Sequence, residues 1–268
     1  MTDLEAIAHD LRCDVLKMYY HAGWGHIASA YSCTDILTAV YFGGEYKDGH
    51  DHVVLSKGHG CAVQYAALAR IGKISREELA TFYRPGSRLT GLASSAVPGI
   101  DAPTGSLGMG LGFAAGQAMA AERYDSDANT YVVLGDGEIQ EGSVWEAAML
   151  AGNEHLSSLT AIVDCNGLQA SGFVADIAPN KPLTAKWESF GWQVLEVDGH
   201  DVEALRQALS EARAEKSKPT VILARTIKGY GFPAAEGRAD WHSRRPTVTE
   251  WLEAAESLGM SQEELMEI

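Results

Sequence analysis

The sequence predicts an α/β fold, a doubly wound, mostly parallel sheet with helices on both faces, in one domain over residues 1–268. Three observations carry that expectation. Short, nearly continuous apolar runs rich in β-branched residues recur along the chain, as strands covered on both faces require. Longer helical patterns fall between them, the alternation that builds a parallel sheet. No internal repeat, proline-rich linker or low-complexity stretch interrupts the chain.

Taken in order, helical patterns predict a first helix over Leu4 to His21 and a second from Cys33 to Phe42. The run His52-Val53-Val54-Leu55 predicts the first strand. Helices are expected over Gly60 to Ile71 and Ser75 to Phe82, then over Leu107 to Tyr124, where glycines give way to an Ala-rich stretch. Tyr131-Val132-Val133-Leu134 reads as the second strand, Ser143 to His155 as a helix, and Leu159-Thr160-Ala161-Ile162-Val163 as the third strand. Val194 to Val197 and Thr220 to Ala224 complete the sheet around a helix from Asp201 to Lys216. The last helix, Thr249 to Leu258, lies in an acidic helical segment, 248–268. Its six glutamates, with no Lys or Arg after residue 248, read as a solvated face.

With 268 residues and 46% hydrophobic content the chain can bury an ordinary core, which excludes disorder. No apolar run reaches 18 residues and the start, Met1 to Glu5, is charged, so neither a spanning helix nor a secretory signal is expected, and a soluble, cytoplasmic protein is. Cys13, Cys33, Cys61 and Cys165 lie far apart with no C-x-x-C pair and read as free thiols. A net charge of −15 without any basic cluster argues against nucleic acid and anionic membrane as partners, yet leaves room for a locally held anionic cofactor.

Ligands of open parallel sheets bind beyond the carboxyl ends of the strands. The segments there are Ser56-Lys57-Gly58-His59-Gly60, Gly135-Asp136-Gly137-Glu138, Asp164-Cys165-Asn166-Gly167 and Arg225 to Gly231. Asp136 and Asn166 are one β-α-β unit apart, so on neighbouring strands their side chains can share a cation. Few protein ligands beside flexible glycines suit Mg²⁺ completed by phosphate oxygens. Taken singly, each motif also suits a tight turn. Gly110-Leu111-Gly112-Phe113-Ala114-Ala115 fits the dinucleotide pattern, but Val97 to Pro103 before it is a poor strand, which speaks against NAD. His26, His59 and His242 stand in glycine-framed or late loops where neutral imidazoles can exchange protons. The other six histidines, His200 among them, have no comparable setting.

Gly135-Asp136-Gly137-Glu138-Ile139-Gln140-Glu141-Gly142 followed by Asp164-Cys165-Asn166-Gly167-Leu168 resembles the thiamine diphosphate motif, and in detail the transketolase family. Leu55 to Gly60, Gly86-Ser87-Arg88, Thr104 to Gly108, Val144 to Ala148 and Thr226 to Gly231 are similar to that family in the same order. The resemblance implies Mg²⁺ held by Asp136, Asn166 and the carbonyl of Leu168, and diphosphate contacts from Gly137 and Glu138, next to Gly135. It implies a cofactor lining of Gly105, Ser106 and Leu107, and His26, His59 and His242 as groups that contact diphosphate or substrate. Glu141 matches an acid that links paired active sites, although a charge at a helix start also explains it.

A full transketolase continues into further domains, so this chain resembles the N-terminal subunit of a split enzyme. Its expected partner carries the pyrimidine-binding domain and the catalytic glutamate, in an α₂β₂ heterotetramer. The implied reaction moves a two-carbon ketol unit from a ketose, free or phosphorylated, to an aldehyde. The alternatives are a pyruvate-using acyloin or 1-deoxyketose synthase and a non-catalytic regulatory subunit. Two departures fall where substrate is held: Gly25-His26-Ile27-Ala28-Ser29 stands for Gly-His-Pro-Gly-Gly, so its backbone path is expected to differ, and Leu92 replaces a histidine. Either Ser94 or Ser95 substitutes for that histidine, or the donor lacks the hydroxyl it would meet, or the loop runs differently, with Leu92 pointing into the core and another group doing the work.

Overall fold

Five parallel strands form the central sheet in the spatial order β1-β2-β3-β7-β6 of the computed structural model, which describes residues 3–124 and 126–267. Met1 and Thr2 of the charged start, Asp125, and Ile268 of the acidic segment lie outside the described residues. The strands are β1 (His52–Leu55), β2 (Thr130–Gly135), β3 (Leu159–Cys165), β6 (Gln193–Asp198) and β7 (Thr220–Arg225). Alternate residues serve two cores: Val53, Leu55, Tyr131 and Val133 face one, and Val54, Val132 and Leu134 the other. This is why the strands read as continuous apolar runs.

The first core is covered by α1 (Asp3–Ala22), α2 (Ile27–Ser32), α3 (Thr34–Phe42), α4 (Cys61–Arg70), α9 (Val202–Ala214), α10 (Val248–Ser257) and α11 (Gln262–Met266). The second is covered by α5 (Gly110–Arg123), α6 (Gly142–Asn153) and α8 (Leu183–Ser189), whose Trp187 is fully buried. A two-stranded antiparallel ribbon, β4 (Leu168–Gln169) with β5 (Gly172–Phe173), and the short α7 (Val174–Ile177) lie after β3.

Two of the expected helices are corrected. Ser75 to Phe82 is a tight 3-10 turn over Arg76–Thr81 rather than an α-helix. The helix expected from Leu107 begins at Gly110, because Gly108 adopts φ +84°, outside the helical region. The acidic segment is two helices, each opened by its own capping box, Thr247 with Glu250 and Ser261 with Glu264. Trp251, Ala254, Ala255 and Leu265 are its buried side, packed into the first core. Among the described residues no helix is long and apolar enough to cross a membrane.

Candidate functional site

β2 and β3 pair in register with Gly135 opposite Asp164, so the chain leaves both strands at the same sheet edge. Asp136 and Asn166 follow directly. A cavity of about 350 Å³ opens there, lined by Asp136, Asn166, Leu168, Gly135, Gly137 and Glu138, by Gly105 and Leu107, and by Glu141. His26, His59 and His242 line it too, as do Lys57, Lys228 and Leu92. Ser106 is the exception among the expected residues: it is exposed on the glycine loop and outside this lining.

The Asp136 carboxylate is buried, with Oδ2 accepting from the Gly167 N–H at 2.6 Å and Oδ1 left without a protein partner. Burial, with the nearby Asp164, pushes its pKa up to about 7, so it favours a cation beside it. The Asn166 side chain donates through Nδ2 to Ser32 Oγ and Asp164 Oδ2, both at 3.1 Å, and Oδ1 accepts from the Leu168 N–H at 3.0 Å.

Glu138 does something its sequence position does not announce. Its buried carboxylate accepts from Ser56 Oγ, from the Gly108 N–H at 2.9 Å and from the Gly135 N–H at 3.0 Å. One side chain thus ties together the loop after β1, the glycine loop and the end of β2. Close approach governs the glycine loop too: a Cβ at Gly105 would stand 2.8 Å from Leu92 Cδ1.

The three histidines meet although they come from distant segments. Their ring centroids are 5.3 Å (His26–His59), 5.5 Å (His26–His242) and 5.2 Å (His59–His242) apart. His59 sits on the turn after β1 and His26 at the start of α2, where the expected loop has become a helix. An isolated antiparallel bridge between Gly25 and Arg244 draws the His242 segment alongside. Burial, then Lys228, lowers the pKa of His26, and the same causes with His26 push His242 down to about 3. Burial and Lys57 hold His59 well below the ordinary value. All three are neutral imidazoles at pH 7.

Two buried lysines escape notice in the sequence, where only their strand-end, glycine-followed positions hint at them. Lys57 is committed: its ammonium pairs with Asp164 and donates to the Ser29 carbonyl at 3.0 Å. Burial alone would lower its pKa, but Asp164 holds it above the ordinary value. Lys228 pairs with no carboxylate among the described residues; its Nζ lies 2.9 Å from His242 Nδ1. Burial, then Lys57, lowers it to about 8. Burial keeps its charge poorly solvated, a state that an arriving anion relieves.

Leu92 is 44% exposed and lines the cavity rather than the core. Its loop is pinned, since the Tyr65 hydroxyl contacts the carbonyls of Thr90 at 3.1 Å and Leu92 at 3.0 Å. Neither Ser94 nor Ser95 is among the residues that line the cavity. His200, whose sequence surroundings suggest no role, is built into a polar network of its own: Nδ1 is 2.8 Å from Asp35 Oδ2, and Nε2 accepts from the Ile227 N–H at 2.8 Å.

Fold and site together define an α/β cofactor-binding domain whose pocket lies beyond the carboxyl ends of a parallel sheet. Residues 11–268 match the family described as transketolase, thiamine diphosphate binding domain. The 6-deoxy-6-sulfo-D-fructose transketolase subunit SqwG of Clostridium sp. is 38% identical over 96% of this chain and 96% of its own length. An apulose-4-phosphate transketolase subunit of Phocaeicola vulgatus is 38% identical over 98% of this chain and 96% of its own. The crystal structure of Campylobacter jejuni transketolase superposes with a TM-score of 0.90 at 30% identity, covering 97% of this chain but 44% of that one. This chain therefore belongs to the transketolase family and has its thiamine diphosphate-binding domain. It spans less than half the length of the solved transketolases it matches.

Proposed function

We propose that this chain is the diphosphate-binding subunit of a two-component transketolase, one domain over residues 1–268, that transfers a two-carbon ketol unit from a ketose, free or phosphorylated, to an aldehyde. The observation that carries this reading is the unpartnered Asp136 Oδ1, buried beside Asn166, three neutral imidazoles and an uncommitted lysine in one cavity. Thiamine diphosphate supplies, when bound, the carbon nucleophile and the electron sink of the reaction.

Among the described residues no three His, Cys, Asp or Glu side chains gather around a metal position. One carboxylate with amide and backbone carbonyl oxygens fits Mg²⁺, whose remaining ligands are water and phosphate. Asp136, Asn166 and the Leu168 carbonyl would hold it. Gly137 and Glu138 would offer backbone N–H groups to the diphosphate, Lys228 its charge, and Gly105 and Leu107 would lie along the cofactor, with Ser106 between them contributing through its backbone. His26, His59 and His242, neutral and close together, would bond substrate hydroxyls and pass protons.

A partner subunit supplies the pyrimidine-binding domain and its glutamate, in an α₂β₂ assembly. Supporting this, Leu107, Met109, Phe113 and Met119 of α5 and its approach, with Met149 and Leu150 of α6, leave an exposed apolar face. Glu141, exposed at the start of α6 with no capping bond of its own, is available to that interface. Both bacterial relatives are named as subunits. Four free thiols suit a reducing, cytoplasmic setting. Leu92 at the cavity and the unusual sugars in the relatives' names support an atypical donor or acceptor.

The test is to co-purify the chain with its partner, assay ketose donors against pyruvate, and titrate thiamine diphosphate with Mg²⁺ by calorimetry. Asp136→Ala should abolish the Mg²⁺-dependent part of the affinity. Unchanged affinity overturns the metal assignment, and turnover by this chain alone overturns the subunit reading.

A further inference from the structure

Lys228 owes its reach to a strap of backbone, residues 226–231, that runs from the end of β7 across the sheet edge. Lys228 and Gly229 are buried in that strap, but the residues on either side of them are loosely packed. Ile227 is 45% and Tyr230 38% exposed, and cavities of about 380 and 600 Å³ flank it. Hydrogen bonds hold it at several points: the Gly229 N–H donates to the Ala28 carbonyl at 3.0 Å, the Lys228 carbonyl accepts from the Gly237 N–H at 2.9 Å, and the exposed Ile227 is held by His200, in the turn between β6 and α9.

The protonation state of His200 follows from its partners. A backbone N–H can only donate, so Nε2, accepting from Ile227, carries no proton. The single proton of the neutral ring is then on Nδ1 and is donated to Asp35 Oδ2. Asp35, buried on α3, is also gripped by the Arg12 guanidinium of α1, with Nη1 at 2.9 Å from Oδ1. Arg12 Nε reaches on to the Tyr230 carbonyl at 3.3 Å. The Tyr230 ring stacks on His200 with centroids 3.8 Å apart and planes 22° apart, with the Arg12 guanidinium 5.3 Å from its own centroid. The residues on either side of Lys228-Gly229 are thus tied to α1 and α3 through one Arg12–Asp35–His200 relay.

We propose that His200 is a positioning residue of the site, its Nε2 fixing the Ile227 backbone so that Lys228 reaches the cavity. This rests on the reading of Lys228 as the cation that meets the cofactor's diphosphate. The imidazole's two nitrogens separate the roles: His200→Gln keeps an acceptor near Nε2, and His200→Asn keeps a donor near Nδ1. In the assembled two-chain enzyme, thiamine diphosphate affinity with Mg²⁺ should fall about tenfold in His200→Asn, the loss of one effective hydrogen bond, and stay within about threefold in His200→Gln. Hydrogen exchange read by mass spectrometry should show the Ile227 amide protected in wild type and in His200→Gln, and released in His200→Asn. Lys228→Met should lose affinity with that amide still protected.

Equal losses in both His200 variants would reduce His200 to packing and overturn the proposal. So would fast exchange at Ile227 in the wild type, a measurement that needs no variant to fold. Wild-type affinity in Lys228→Met would overturn the reading of Lys228 itself, leaving the protected amide as a purely structural tie.

Discussion

Removing the Glu138 carboxylate should unfasten three loops at once. In Glu138→Ala the Ser56 hydroxyl and the N–H groups of Gly108 and Gly135 lose a shared acceptor that no other described side chain replaces. A buried donor stripped of its partner costs about 1–3 kcal/mol. Against that, burial already raises the Glu138 pKa, so part of the carboxylate's desolvation cost is recovered on its removal. The balance is about 3 kcal/mol, or roughly 6–12 °C in melting temperature for a chain of this size. Glu138→Gln keeps an acceptor for Ser56 and Gly108 but turns an amide N–H₂ toward the Gly135 N–H, so about 1–2 kcal/mol is lost. Thermal and guanidinium unfolding of the chain should rank wild type, Gln and Ala in that order. The assembled Gln variant should also bind thiamine diphosphate more weakly, because the Gly135 end of β2, next to Asp136, is no longer held. An alanine variant within about 1 kcal/mol of wild type would refute the reasoning.

Three further outcomes are expected. Leu92→His should raise kcat/KM for ketoses with a terminal hydroxymethyl group relative to deoxy donors or pyruvate by about one to two decades, read on the assembled enzyme. Wild-type kcat/KM of ~10⁴ M⁻¹s⁻¹ or more on xylulose 5-phosphate with ribose 5-phosphate would remove Leu92 as a specificity marker. Lys228→Met should raise the His242 pKa, followed by NMR, since burial and then Lys228 depress it to about 3. The same depression sets a sign for stability. The unfolded imidazole takes a proton near pH 6.5 while the folded one refuses it until about 3, so His242 should cost the free chain stability as pH falls below 6.5, and Lys228→Met should lessen the cost. Finally, Phe113→Asp with Met149→Glu should leave the chain folded, both sites being exposed, yet block association with its partner in sedimentation velocity.

The sheet was legible because a strand buried on both faces must be apolar throughout, and Tyr131 to Leu134 or Leu159 to Val163 allow little else. That Asp136 and Asn166 share a sheet edge was legible because acid and amide follow the ends of strands one β-α-β unit apart. Short elements were not: all six residues of α2 are buried, so Ile27 to Ser32 shows no polar face to betray a helix. Nor does sequence reveal a buried charge. Lys57, Asp164 and Lys228 look like loop residues until their environments are known, and the Glu138 side chain matters through contacts with residues 30 and 82 positions away. His200 was hidden for the same reason, its partners lying on α1, α3 and the strap after β7.

The bridge between Gly25 and Arg244 has a consequence for how this chain is made. It clasps an early segment to a very late one, and the imidazole cluster spans both. During synthesis the first four helices and the strands through β3 can begin to pack long before His242 leaves the ribosome. The pocket cannot. It closes only once residues up to 244 are out, as contacts of such long sequence separation form slowly. A nascent or clipped chain can therefore be well structured and still unable to grip its cofactor.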